Sequence, residues 1–322
     1  MTESSEKQGQ LQSIPRATAA PPRDASPAEA KESIRLRADI PTPKLRFHVN
    51  DIRHPAFQSF LSLIPDLQSV LDTALSAIIQ NLYTVPPLRP SSRITPSPQP
   101  NLPRPIFHPS VPPTRSVTLL LRDIGGVAYT TGTELDNDHK EIHLSLSYIH
   151  TSTRKADPTA ELRGVLTHEL VHCYQHTAPA GSTNRHPPGG LIEGIADFVR
   201  LKAGLAPPHW KRPTSAQDRP ENWDQGYQHT AYFLAWLEDV RVGPGAIGML
   251  NDRLLRVGYY VHKGNEDSDA GGSRETDFWE ALFGSRIEDL WHAYGVYLDR
   301  LGEGNDGDRD DGAWQDEIVN PE

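Results

Sequence analysis

The chain has 322 residues, enough for one catalytic domain with tails or for two small domains, and enough to bury a full hydrophobic core. Its net charge of −10 comes from 42 acidic and 32 basic residues with no dense Lys/Arg cluster, which argues against a nucleic-acid binder, and no apolar run approaches the roughly 20 residues that span a bilayer. Cys173 is the only cysteine, so no intramolecular disulfide can form, and the polar stretch Met1–Ala20 lacks the apolar segment of a secretory signal; the expectation is an intracellular, cytoplasmic protein.

Residues 1–40 are rich in Ser, Pro, Ala, Glu and Lys without a sustained period and read as a disordered tail. Leu45, Phe47 and Val49 then alternate with Arg46 and His48, the pattern of a half-buried strand. Between Phe57 and Tyr83 the apolar residues Leu63, Ile64, Leu67, Val70, Leu71, Leu75, Ile78, Ile79 and Leu82 recur every three or four positions. That predicts one amphipathic helix, or two separated near Pro65. Eleven of the 29 prolines fall within residues 84–115, a density that leaves only an extended, polyproline-like insertion, read as a passive loop rather than a docking motif.

Val117–Leu121 reads as a buried strand ended by Gly125 and Gly126, and Ile142–Leu146 as a second strand with His143 and Ser145 in alternation. Helices follow over 158–176, 190–203, 225–241, 245–256 and 286–300, separated by Gly/Pro/Asp-rich breaks. From Gly302 onward the chain is an acidic, solvated tail. Strands first and helices after predict an α+β fold, with one domain over residues 41–301.

The informative stretch begins at Asp157, a good N-cap, with Pro158 at the first helical position. The helix it opens carries His168-Glu169-Leu170-Val171-His172. Two histidines four apart lie one turn above the other, so both rings can reach one ion, and Glu169 projects beside it where it can hold a water. Leu162, Val165, Leu166 and Cys173 give this helix apolar neighbours, as in a core, and a buried His pair needs a partner that a zinc ion supplies.

After Pro187-Pro188-Gly189-Gly190 a second helix carries Glu193 and Asp197, again four apart. Alone they would be an ordinary exposed acidic pair. Beside the HExxH segment, Glu193 becomes the third ligand and Asp197 the acceptor for the free ring N–H of His168. Gly194 between them allows close helix packing. Three protein ligands leave zinc an open position, the mark of a catalytic site. His176 is set aside as too far along the first helix and is read as a C-terminal helix residue favourable to the dipole. His186, in the connecting loop, is a weaker candidate still.

The segments HELVHCYQH, PPGGLIEGIADFVRLKAGLAPPHW and WDQGYQHTAYFLAWLE resemble the plant basic secretory protein family and its fungal relatives, zinc-dependent metallopeptidases of the gluzincin type within the zincin fold. The similarity extends more weakly to GGVAYTTG (125–132), IHLSLSYI (142–149) and LWHAYGVYL (290–298), and covers about residues 44–50 and 116–300. The resemblance implies a zincin-like peptidase domain with His168, His172 and Glu193 as zinc ligands, Glu169 as general base and Asp197 behind His168. Gln175 matches a family position without an assigned role. The chain departs from the family in lacking a secretory signal, in being acidic, and in carrying the proline insertion; these bear on secretion and leave the site untouched.

The expected reaction is peptide-bond hydrolysis by a zinc-bound water, with Glu169 passing the proton to the leaving amine. Tyr227 is the first candidate to stabilise the oxyanion and His229 the second; Tyr227 reads equally well as a packing aromatic beside Trp223. Ile142–Leu146 is the candidate edge strand for an extended peptide, and the absence of an aminopeptidase-type GxMEN motif favours an endopeptidase. The expected partner is therefore a peptide or protein substrate, with neither nucleic acid nor membrane, and oligomeric state is not legible. Two other readings compete. One is a catalytically silent zinc-binding interaction protein, which the intact Glu169 disfavours. The other is a metal-free domain in which the polar residues bond one another.

Overall fold

In the computed structural model, which describes residues 42–86, 107–261 and 277–303, four strands make one mixed sheet. Its order is β1 (Lys44–Val49), β2 (Ser116–Arg122), β4 (Asp136–Ser145), β3 (Ala128–Thr133). β1 and β4 both run parallel to β2, whereas β3 returns antiparallel along β4. Val117, Leu119, Leu121, Ile142 and Leu144 are fully buried, which is why the alternation in the sequence marks these strands. The expected tail at 1–40, residues 87–106 of the proline-rich segment and the acidic tail from 304 onward lie outside the described residues.

The first amphipathic stretch is two helices, α1 (Pro55–Leu63) and α2 (Leu67–Ile78), with α2 running on into a π-helical turn through Tyr83. The break falls at Ile64–Asp66, where Pro65 has no N–H to continue the ladder and Asp66 caps α2 by accepting from Ser69 N at 2.9 Å. The described ends of the proline-rich segment, Thr84–Pro86 and Phe107–Arg115, contain no helix or strand, as their composition predicts. They are anchored all the same: Phe107 is buried where Gly248 leaves room for its ring.

Two expectations about β4 are corrected. The strand ends at Ser145, whose hydroxyl caps helix α3 (Leu146–Ser152) by accepting from Tyr148 N at 3.2 Å; Leu146 is thus helical. Nor is Ile142–Leu146 an edge. β4 is hydrogen-bonded to β2 on one side and β3 on the other, so no backbone groups remain for a peptide. The edge strands are β1 and β3, and it is β3, following β2 through the Gly125-Gly126 turn, that lies along the cavity.

Helix α4 (Pro158–His172) starts as predicted, Asp157 accepting from Ala160 N at 2.8 Å. It stops a full turn earlier than predicted. The carbonyls just past its end are taken by hydroxyls from distant segments, Thr114 Oγ1 donating to Cys173 O at 3.1 Å and Tyr83 Oη to Tyr174 O. His176 is therefore outside the helix, with its N–H on Asn251 Oδ1 and its ring bonded to Ser110 O at 2.7 Å. Leu162, Leu166, Leu170 and Val171 are buried, each worth about 1.5–3 kcal/mol relative to exposure.

Helix α5 (Gly189–Lys202) packs on α4, and α6 (Tyr227–Trp236) packs on α5. The crossing of α5 and α6 is tight. A Cβ at Gly194 would stand 2.3 Å from Thr230 Cγ2, and one at Gly190 would stand 1.7 Å from the Asp224 carbonyl oxygen. Beyond a π-helical turn at Leu237–Val242 follow α7 (Ala246–Arg256), α8 (Phe278–Phe283) and α9 (Ile287–Glu303). Trp223, Phe233, Trp236, Trp279 and Tyr294 pack edge-on or tilted into one aromatic cluster that ties α8 and α9 to α6. The fold is α+β. Among the described residues no helix is long and apolar enough to cross a membrane.

Candidate metal centre

α4 and α5 face each other with polar stripes. Glu161, His168 and His172 lie seven and four residues apart on α4; Glu193, Asp197 and Arg200 lie four and three apart on α5. Those spacings put each set on one helical face. His168 Nε2 lies 3.1 Å from both His172 Nε2 and Glu193 Oε2, and His172 Nε2 lies 3.6 Å from the same carboxylate oxygen. Two ligand atoms each about 2.0–2.1 Å from a tetrahedral zinc stand roughly 3.3–3.4 Å apart, so the donor set and its spacing fit one such ion.

Asp197, 2% exposed, holds the other nitrogen of His168, with Nδ1 and Oδ1 2.7 Å apart. This bond places the proton on Nδ1 and aims Nε2 at the cluster. Burial disfavours the imidazolium, yet hydrogen bonds to Asp197 and Glu193 outweigh it and push His168 up to about 9. An ion arriving at Nε2 must displace the proton the imidazolium carries there, while Nδ1 keeps its own toward Asp197. Burial likewise favours neutral Glu193, but bonds to His168 and His172 hold its carboxyl well below the usual range. Gln175, just past the end of α4, lies with its amide nitrogen 3.1 Å from His172 Nδ1.

Glu169 is buried beside the cluster, where Thr130 Oγ1 on β3 lies 2.7 Å from its Oε2. Thr130 was not legible as a site residue; its only sequence signal is its place in the GGVAYTTG stretch.

Tyr227 opens α6 with φ of +48°, a left-handed conformation costly for a bulky residue, directly after Gly226. Its ring stacks over that of His168 at 6.1 Å and is 55% exposed. It is therefore not the packing partner of Trp223, whose ring sits against Trp279 at 5.1 Å. The charge of Glu193, then burial, push its phenol up, so the hydroxyl keeps its proton. His229, the second candidate, does not line the cavity. His186 stays in its own loop, bonded to Ser182 O at 3.1 Å.

The His168, His172 and Glu193 cluster, Glu169, Thr130 and Tyr227 open on one cavity of about 970 Å³. Gly126–Thr130 form one wall, His168, Glu169, His172, Glu193 and Tyr227 the centre, and Tyr148, Lys155, Glu161, Arg200 and Trp210 the far end. The far end was also missed from the sequence, although Arg200 stands three residues beyond Asp197 on the same helical face.

Searches of curated proteins and of solved structures return no match to the chain. A family model does match, over residues 42–294, which takes in the sheet, the paired helices α4 and α5, and the start of α9. With the HExxH helix and the EGIAD helix facing each other across one cavity, the chain belongs to the basic secretory protein family, described as peptidases of plants and bacteria.

Proposed function

We propose that the protein is a zinc-dependent peptidase with a zincin-like fold, hydrolysing bonds within extended peptide or protein segments. The observation that carries this reading is the convergence of His168, His172 and Glu193, whose ligand atoms all lie within 4.8 Å of one another, beside the Glu169 carboxylate. These three residues would hold the ion. Zinc, when bound, supplies a Lewis acid that polarises a carbonyl and acidifies water.

The rest of the chemistry belongs to side chains. Glu169 takes the proton of the attacking water and returns it to the leaving amine, with Thr130 fixing the carboxylate. Tyr227, protonated and stacked over His168, donates to the developing oxyanion. Asp197 orients His168. β3 has a strand neighbour only on the β4 side, so its other edge is suited to pairing with a substrate backbone along the cavity wall.

Elemental analysis of the purified chain should find about one zinc per molecule, lost in His168→Ala and Glu193→Ala. Glu169→Gln should keep zinc and lose cleavage of a peptide library. Tyr227→Phe should keep zinc and lower kcat by about a hundredfold. A zinc-loaded wild-type protein that cleaves no peptide would instead leave a zinc-binding interaction protein.

A further inference from the structure

The cavity is larger than a metal centre needs, and its far end is built from charged side chains that the proposed reaction does not use. Arg200 is only 7% exposed there. Its Nε donates to Leu205 O at 3.0 Å, its guanidinium lies over the Trp210 ring at 5.1 Å, and Nη2 finds no hydrogen-bond partner among the described residues. Gly164 makes the space, since a Cβ at that position would stand 2.5 Å from Arg200 Nε.

The nearby acids are already engaged. Glu161 Oε1 accepts from Tyr148 and from Lys155 at 2.7 Å, which leaves Arg200 Nη2 3.9 Å away, beyond hydrogen-bond reach. Asp197 is held by His168. Two cations thus share one carboxylate, and Arg200, 3.9 Å from it, keeps its buried Nη2 without a hydrogen bond. Such an arrangement is unfavourable by itself and is completed by an incoming anion. A carboxylate matches a guanidinium fork better than any neutral group does.

We propose that this end of the cavity is a substrate pocket for a carboxylate, carried by an Asp or Glu side chain or by a peptide C-terminus. Its place relative to the scissile bond rests on the peptidase reading. Glu193 and Arg200 are seven residues apart on α5, about 10 Å along the axis. An extended peptide advances about 3.3 Å per residue, so the carboxylate sits about three residues from the bond that is cut.

The test uses the full-length Glu169→Gln protein loaded with zinc, titrated with neutral hexapeptides in which Glu replaces Gln at each position in turn, and with free-acid and C-terminally amidated pairs. The carboxylate member of a pair should bind about 10–100-fold tighter, and the pair that shows the gap separates side chain from C-terminus. Adding Arg200→Gln should collapse that ratio to within about threefold. Lys155→Met, at a more exposed position, should shrink the same ratio and covers the case in which the Arg200 variant fails to fold. Zinc stoichiometry and a cooperative melt qualify each protein. Equal affinities within every pair, no binding at all, or a ratio that survives both substitutions would overturn the pocket. A clear, Arg200-dependent ratio in a chain whose wild-type form cleaves none of these peptides would overturn the peptidase reading and leave the pocket standing.

Discussion

Thr130 on the edge strand stands 2.7 Å from Oε2 of Glu169 and 2.9 Å from the backbone oxygen of the same residue, so one hydroxyl proton ties β3 to the acidic residue of the HExxH helix. The contact joins the strand suited to a substrate backbone with the group proposed to move the proton. Thr130→Val keeps the shape and removes the donor. We expect kcat to fall about tenfold at unchanged zinc content, with Thr130→Ser restoring most of it. A valine variant with wild-type kcat would show the bond to be incidental.

His172 has an outer partner as His168 does. If His172 ligates through Nε2, its Nδ1 carries the proton and needs an acceptor. Turning the Gln175 amide by half a turn supplies Oε1, an oxygen that is buried without a partner as it now lies. Gln175→Leu and Asp197→Ala should each weaken zinc binding by about 10–100-fold in competition with a chelator. Unchanged affinity in both would mean the ligands need no orienting partners.

Gly189 and Gly190 adjoin in sequence but differ in what surrounds them. Nothing lies within 4 Å of a Cβ at Gly189, whereas one at Gly190 would meet the Asp224 backbone. Gly190→Ala should therefore cost about 1–3 kcal/mol in urea denaturation and disturb Tyr227, whereas Gly189→Ala should stay within about 0.5 kcal/mol of wild type. Equal costs would refute the close approach of α5 to the segment that leads into α6.

Glu238, 6% exposed, is pushed by burial from 4.5 to about 7, against the charge of Lys202 and the backbone N–H groups of Ile247 and Gly245. Between these values the unfolded chain is ionised while the folded one holds a proton. Stability therefore falls as pH rises from about 4.5 to about 7 and levels off above, by up to about 3 kcal/mol from this group. Glu238→Gln should flatten that slope and gain stability at pH 8. A slope unchanged in the variant would assign it to other groups.

The sequence by itself determined the elements whose cause is local. Apolar period marked β1, β2 and the pair α1–α2; Asp157-Pro158 marked the start of α4; and the four-residue spacings of His168/His172 and Glu193/Asp197 fixed which side chains share a face. Residues adjacent along a helix carry their geometry with them, so the two halves of the His168, His172 and Glu193 cluster were legible. Tertiary structure decided what distant segments do to one another. Hydroxyls from Thr114 and Tyr83 accompany the end of α4 and leave His176 outside it. The pairing of β4 on both sides made β3 an edge and brought Thr130 to Glu169. The packing of α4 on α5 set Arg200 over Gly164 and beside Glu161. None of these contacts has a period or spacing in the chain, because each depends on which surfaces are buried together.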